Sequence, residues 1–251
     1  MYTLIEDIEE LKMFHSFLHP LQTGEAYFVS MSARNKYLSV EEREYYSLRK
    51  AEMFSRKLVK DSSFESFLRV LRTMEVNQGG YTTANGKCIP EKCLSVYANI
   101  NASSGLKAYK EFNTKMNDLL MDSISNQDGL KSFASLDTIL MNCFQRQQGT
   151  KYLLDIDFDI PKELRDEFLF PFVNILNENN VIYKVLETHG GFHVLIVRKT
   201  IGFNYTKILN ELNLKAKQLN PKYEILKNVN DMVPIAGVLQ AGFPVSFVEL
   251  K

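Results

Sequence analysis

Two hydrophobic periods alternate along this chain, one near 3.6 residues and one of two. Residues 4–19 carry the helical spacing and end before Pro20. Residues 25–31 (EAYFVSM) read as a strand, followed by the polar and basic stretch Ser32, Arg34, Asn35 and Lys36. The helical spacing returns over 40–60, with Ser39 as a cap and Glu42 three residues on. It appears again over about 62–75. Gly79–Gly80 and Asn85–Gly86 then punctuate an irregular segment or hairpin. LSVYANI at 94–100 reads as a strand, and helices are expected over 104–122 and 130–146.

The remainder is more regular. KYLLDIDF (Lys151–Phe158) is a strand. Pro161 opens a helix carrying Leu164, Phe168, Phe172 and Ile175 at helical spacing, and Pro171 should kink or split it. Val181–Glu187 is a second strand, Gly190 and Gly191 turn the chain, and Phe192–Arg198 is a third. A helix over 204–219 and a strand over Tyr223–Lys227 complete a β-α-β-β-α-β order, the split βαβ or RRM-like plan. The expected fold is therefore α/β of the α+β kind. An N-terminal mixed α/β lobe (1–148) is expected to pack against an RRM-like lobe (149–251).

That plan places the first and third strands of the second lobe side by side. Side chains alternate between the faces of a strand. Leu154, Ile156 and Phe158 should pack under the helices, so Asp155, Asp157 and Asp159 point to the open face. His193 joins them if Val194 and Ile196 pack on the helices. Acids in a row on one face repel one another unless a cation or proton neutralises them. Oxygen donors of this kind suit Mg²⁺ or Mn²⁺, which also keep substrate phosphates in their shell. The competing reading is an exposed strand with solvated acids. Asp159, next to Pro161, is explained equally well as a helix cap. His189 is explained by turn exposure, with a lid role as the alternative.

Composition narrows this only slightly. The 251 residues are 45% hydrophobic and 24% charged, ordinary for a soluble globular protein. No apolar run is long enough for a membrane span, so no membrane partner is expected. The acidic, amphipathic N-terminus is unlike a signal peptide, so a cytoplasmic location is expected. Net charge is zero, and the charges balance both before Lys151 and from it onward, so neither part is a basic nucleic-acid glove. Cys88, Cys93 and Cys143 are too few for a disulfide framework, and no second close pair completes a zinc site. Free thiols are expected.

These motifs resemble the archaeo-eukaryotic primase superfamily, which includes primase-polymerases and end-joining repair polymerases. Leu153-Leu154-Asp155-Ile156-Asp157 matches its strand ending in Asp-hydrophobic-Asp. Gly191-Phe192-His193, followed by Val194-Leu195-Ile196, matches its small-x-His element. Asp231 matches its third acid, which precedes a strand. The resemblance covers roughly 150–250. It implies a metal-dependent nucleotidyltransferase, a DNA or RNA primase or primase-polymerase acting on nucleoside triphosphates and a single-stranded DNA template. Asp155, Asp157 and Asp231 would take Mg²⁺ or Mn²⁺, and His193, with Gly191 beside it, the nucleotide phosphates. Residues 25–122 would supply a neighbouring α/β unit, with Arg34, Lys36 and Lys107 as candidate phosphate contacts or ordinary surface charges. A separate helicase and a phage or plasmid replication system would suit it. The family often places arginines after the third acid, and residues 233–240 contain none.

Three other readings stay open. Nucleotide cyclases and their palm-like relatives share a two-aspartate site but have no use for the Gly-x-His element. A non-catalytic nucleic-acid-binding module would expose aromatic rings on its central strands, where this chain has acids. A degenerate accessory subunit of a replication complex would explain the missing arginines. A rolling-circle endonuclease needs two histidines around one hydrophobic residue, which His193-Val194-Leu195 does not provide.

Overall fold

Asp7 caps the first helix: its carboxylate accepts the backbone N–H groups of Glu9 and Glu10, and α1 (Ile8–Phe17) buries Leu11 and Phe14. The strand β1 (Glu25–Arg34) follows, buried along nearly its whole length. Ser39 and Glu42 form the expected capping box of α2 (Val40–Tyr46). The helix expected over 40–60 nevertheless stops there. Ser47 adopts a left-handed conformation (φ 50°), and the chain returns as β2 (Ala51–Val59), antiparallel to β1 from Tyr27↔Val59 to Arg34↔Ala51. A ladder along most of β1 outweighs the helical spacing of the same residues, as tertiary context commonly does. The helix α3 (Phe64–Arg72) buries Phe67 and Leu71.

The strands β3 (Leu94–Asn99) and β4 (Ser103–Ser104) both pair with β1, and α4 (Gly105–Ser125) and α5 (Leu136–Arg146) follow. A small cluster of Phe28, Ala108, Cys143 and Phe144 seats these helices on β1. The second unit runs β5 (Leu153–Asp159), α6 (Arg165–Glu178), β6 (Tyr183–Glu187), β7 (Phe192–Val197), the single turn α7 (Arg198–Ile201), α8 (Tyr205–Leu219) and β8 (Glu224–Lys227). Pro161 precedes a short 3-10 turn rather than opening α6. Pro171 lies within α6 without splitting it, because Phe168, Leu169, Phe172, Val173 and Leu176 hold both halves in the core. The computed structural model describes residues 1–125, 133–219, 224–227 and 231–249. Expected helical residues 130–132 and Tyr223 of the last strand lie outside these.

The strands β9 (Met232–Pro234), β10 (Leu239–Gln240), β11 (Phe243–Pro244) and β12 (Ser246–Val248) close the chain. One sheet has the order β11-β10-β3-β1-β2, with β4 on β1 and β9 on β3. The other has the order β12-β6-β7-β5-β8. The named strand pairs are antiparallel, which makes the class α+β. In the second sheet β5 and β7 lie side by side as expected. The C-terminal segment crosses back: β9, β10 and β11 join the first sheet before β12 returns to β6. The two sheets therefore do not divide the chain at 148/149. Among the described residues, no helix is long and apolar enough to cross a membrane.

Leu154, Ile156, Phe158, Val194 and Ile196 pack with Phe168, Phe172, Ile208 and Leu212 in a core between the second sheet and its helices. The opposite face is only partly open. Leu153, Leu186 and Leu195 join the large core of the first unit, with Val29, Met31, Val96 and Ile235.

Asn101 ties the two units together. Its Nδ2 donates to Leu153 O and to Asp231 Oδ2, both at 2.9 Å. Its Oδ1 accepts from Tyr152 N at 2.8 Å and Leu153 N at 2.9 Å. The side chain is fully buried, and its hydrogen-bonding capacity is filled. Asn101→Ala is expected to lower the unfolding free energy by about 3 kcal/mol, because it strands buried partners. Urea denaturation measures this, and a loss below about 0.5 kcal/mol, typical of neutral surface changes, would remove Asn101 from this role.

Candidate active site

Register brings the site together. Asp157 lies directly across from His193 in the β5–β7 ladder, and Asp155 is two residues away on the same face. His193 Nδ1 donates to Asp155 Oδ2 at 2.9 Å and Oδ1 at 3.1 Å. His193 Nε2 stands 3.6 Å from Asp157 Oδ1. The convergence of Asp155, Asp157 and His193 on one face is thus present, but that face is not uniformly open. Asp155 is 0% exposed and His193 7%, whereas the Asp157 side chain is 47% exposed. Packing of Leu153 and Leu195 against the first unit covers the Asp155 end.

Gly191 explains the spacing before His193. A Cβ there would lie 2.0 Å from Phe158 O and 3.0 Å from Ile160 N, so only glycine lets the β6–β7 turn lie against β5. Gly190, rather than Gly191, lines the cleft.

Asp231 approaches from the first sheet, immediately before β9. It is 2% exposed and adopts φ 52°, a left-handed conformation that Asp tolerates better than most residues. Its Oδ2 accepts from Asn101, and Lys151 Nζ lies 3.3 Å away.

Burial dominates the electrostatics of the acids. It pushes the carboxyl groups of Asp157 and Asp231 above the usual carboxylate range, and the Asp155 charge adds to both shifts. Burial alone would lower His193, but the Asp155 charge and hydrogen bond, with the Asp157 charge, outweigh it and raise the imidazole to about 9. His193 is therefore an imidazolium at neutral pH. The acids are balanced from within by His193, Lys151 and, near Asp157, Lys36.

A cleft of about 640 Å³ opens in front of Asp157, Asp159 and His193. Its other wall comes from the first sheet: Ser30, Ser32 and Arg34 of β1, Tyr97 of β3, Gln240 of β10, and Lys36 beyond the end of β1. Arg34 Nη1 donates to Tyr97 Oη at 3.2 Å, and Gln240 Nε2 donates to the same oxygen at 3.3 Å. Gln240 Oε1 accepts from His189 N at 2.8 Å, anchoring the β6–β7 turn. Arg34 Nε is buried with no hydrogen-bond partner among the described residues.

Of the candidate basic residues, Arg34 and Lys36 line the cleft, while Lys107 sits on the exposed side of α4, away from it. Asp159 is exposed on the cleft wall and caps no helix. His189 is exposed, with its ring edge-on to Tyr37 at 4.3 Å and Phe243 at 6.1 Å. Cys88, Cys93 and Cys143 are free thiols. Ser30, Ser32, Tyr97, Gln240, Asn101 and Lys151 are site residues that sequence reasoning missed. For the serines a signal existed: Ser30, Ser32 and Arg34 alternate with Val29, Met31 and Ala33 along β1.

Among the described residues, no group of three or more His, Cys, Asp or Glu side chains is close enough to hold a metal ion. The donor chemistry still fits a hard divalent cation. Asp157 offers carboxylate oxygens to the cleft, Asp155 lies beside it, and Asp157 and Asp231 both have carboxyl groups whose ionised form is disfavoured.

The sign of the His193 shift sets a pH dependence. Its stabilising contribution is fully present below the ordinary value of 6.5 and is lost as pH rises through about 9. Thermal unfolding should show stability falling across that window, with a flatter profile for His193→Gln. Equal slopes for both proteins would refute the charged His193–Asp155 pair.

Compared with family models, curated proteins and solved structures, the chain matches none.

Proposed function

We propose that this protein is a metal-dependent nucleotidyltransferase of the primase or primase-polymerase kind. It would start or extend nucleic-acid chains from nucleoside triphosphates on a single-stranded DNA template. One observation carries the reading: Asp157, Asp159 and His193 line the same cleft as Arg34 and Lys36. Its volume of about 640 Å³ suits a nucleotide-sized ligand.

Asp155 and Asp157, with Asp231 as the third acid, are the residues that would hold Mg²⁺ or Mn²⁺. When bound, such an ion supplies Lewis-acid charge neutralisation on phosphoryl oxygens. Arg34 and Lys36 hold the triphosphate by charge, the Arg34 guanidinium through its planar fork of donors. His193, as an imidazolium on the opposite wall, donates to a phosphate oxygen and fixes its position. Ser30 and Ser32 line the same cleft and offer hydroxyls to it. Catalysis is then mainly positioning and charge stabilisation, as in other phosphoryl transfers. A separate helicase partner belongs to the same proposal.

A second reading has its own support. Asp155 is paired with His193 and Asp231 with Lys151, so the protein's own cations balance both acids. That arrangement favours a non-catalytic accessory subunit that keeps the shape of the site.

Nucleotide incorporation on primed and unprimed single-stranded DNA with Mg²⁺ or Mn²⁺ separates the two. Asp157→Asn is expected to remain folded and to lose roughly a hundredfold or more in rate. Arg34→Ala is expected to raise KM for the triphosphate roughly tenfold, the scale of one charge-assisted hydrogen bond. Unprimed products identify a primase. No product from the folded natural chain with either metal sinks the enzyme reading and leaves the accessory one.

A further inference from the structure

A second concavity lies at the other end of the same strands. It is a groove of about 640 Å³ where β5 begins and β7 ends. His19 and Tyr152 line it with their rings stacked, centroids 3.4 Å apart and planes 6° from parallel. Both residues are half-buried. Arg198 and Lys199, both exposed, stand on its rim, and Lys151 lies beside Tyr152. Among the described residues, no Asp or Glu lines the groove. The Lys151 ammonium is engaged 3.3 Å from Asp231 Oδ2, so the exposed Arg198 and Lys199 carry the basic character of the rim, although the chain as a whole is neutral.

Two chemistries meet here. A stacked aromatic pair presents π-faces and apolar edges, and Phe17, Leu18 and Val197 extend that apolar floor. Basic side chains at the rim answer a negative charge. A ligand satisfying both is planar and anionic, with its charge a few ångström from the plane. A purely apolar ligand leaves the cations unused, and a simple anion leaves the rings unused. Sequence-tolerant single-strand binding uses this combination: aromatic side chains for bases and cations for the backbone.

We infer that this groove binds single-stranded nucleic acid, with a base stacking on the His19–Tyr152 pair and adjacent phosphates meeting Arg198 and Lys199. The site is distinct from the cleft. Tyr152 precedes Asp157 by five residues, about 17 Å along an extended strand at about 3.3 Å per residue. The inference does not depend on the cleft having polymerase activity, because a binding module would use the groove equally well. The backbone supports it: Arg198 N donates to Tyr152 O at 2.9 Å, so the cation and the ring are held in fixed relation.

Fluorescence anisotropy of a short labelled oligothymidylate, titrated with the full chain, tests this. Arg198→Glu/Lys199→Glu changes two exposed side chains and should leave the fold intact. It is expected to weaken binding roughly tenfold or more and to reduce the salt slope by about 1.4, at about 0.7 per phosphate contact. Tyr152→Leu is expected to weaken binding roughly tenfold, the scale of one lost stacking contact, and Tyr152→Phe to restore it. Thymidine monophosphate and inorganic polyphosphate serve as competitors. The monophosphate should compete weakly, because it offers one base and one phosphate. Polyphosphate competing as well as the oligonucleotide, with Tyr152→Leu silent, would show a charge patch only and overturn the proposal. Unchanged affinity in the double variant overturns it as well. Loss of incorporation in Asp157→Asn with oligonucleotide affinity retained separates this groove from the cleft.

Discussion

A carboxylate removed wholly from water needs a partner, because an isolated buried charge is among the most costly features a fold can hold. Asp155 is such a group, and much of the second unit is arranged around it. Its partner comes from the neighbouring strand, so β5 and β7 must be adjacent and in a register that sets His193 opposite Asp157. A one-residue slip would turn His193 toward the helices and leave Asp155 uncompensated. Gly191 makes the register possible by letting the turn before His193 lie against Phe158 O. The hydrophobic face of the same strands fixes the same register independently, through Ile156, Phe158 and Val194. Packing and charge therefore agree on one arrangement.

That agreement explains what was legible in the sequence. The period-2 alternation over 153–159 assigned Ile156 to the core and Asp157 to the opposite face without reference to any other segment. Alternation over 192–197 put His193 on the face opposite Val194 and Ile196, and so beside the aspartates once that apolar pair packs on the helices. Local pattern was enough there because one face of each strand is fully committed to the helices. It was not enough for residues 51–59, where helical spacing competes with a strand that exists only because β1 offers it a ladder. Nor could it reveal Tyr97, Gln240 or Asn101. Their roles depend on contacts with partners up to 143 residues away, made when the C-terminal segment crosses back to the first sheet. The burial of Asp155 was missed for a related reason. Parity gives the face of a side chain, whereas exposure depends on what else packs over that face.

The acids also constrain how the site is neutralised. Asp155 lies within electrostatic reach of both Asp157 and Asp231, and the protein supplies His193, Lys151 and Lys36 against these acids. A divalent cation at Asp157 would reduce the need for those internal cations and lower the His193 shift. A triphosphate in the cleft would act the other way, favouring the imidazolium and drawing on Arg34 and Lys36. The two ligands thus have opposite effects on His193.

The strand β5 connects the cleft to the groove at its other end. Tyr152 sits just before it and Asp157 near its end, while Ile156 and Phe158 lock it against α6 and α8. Asn101 grips the start of β5 through the backbone N–H groups of Tyr152 and Leu153 and also holds Asp231. One buried amide therefore positions both the aromatic ring of the groove and the third acid of the site. Lys151 adds a second connection, since it lies in the groove and its ammonium group faces Asp231. The start of β5 and Asp231 are therefore tied to each other by two side chains, Asn101 and Lys151, that reach across from one unit to the other.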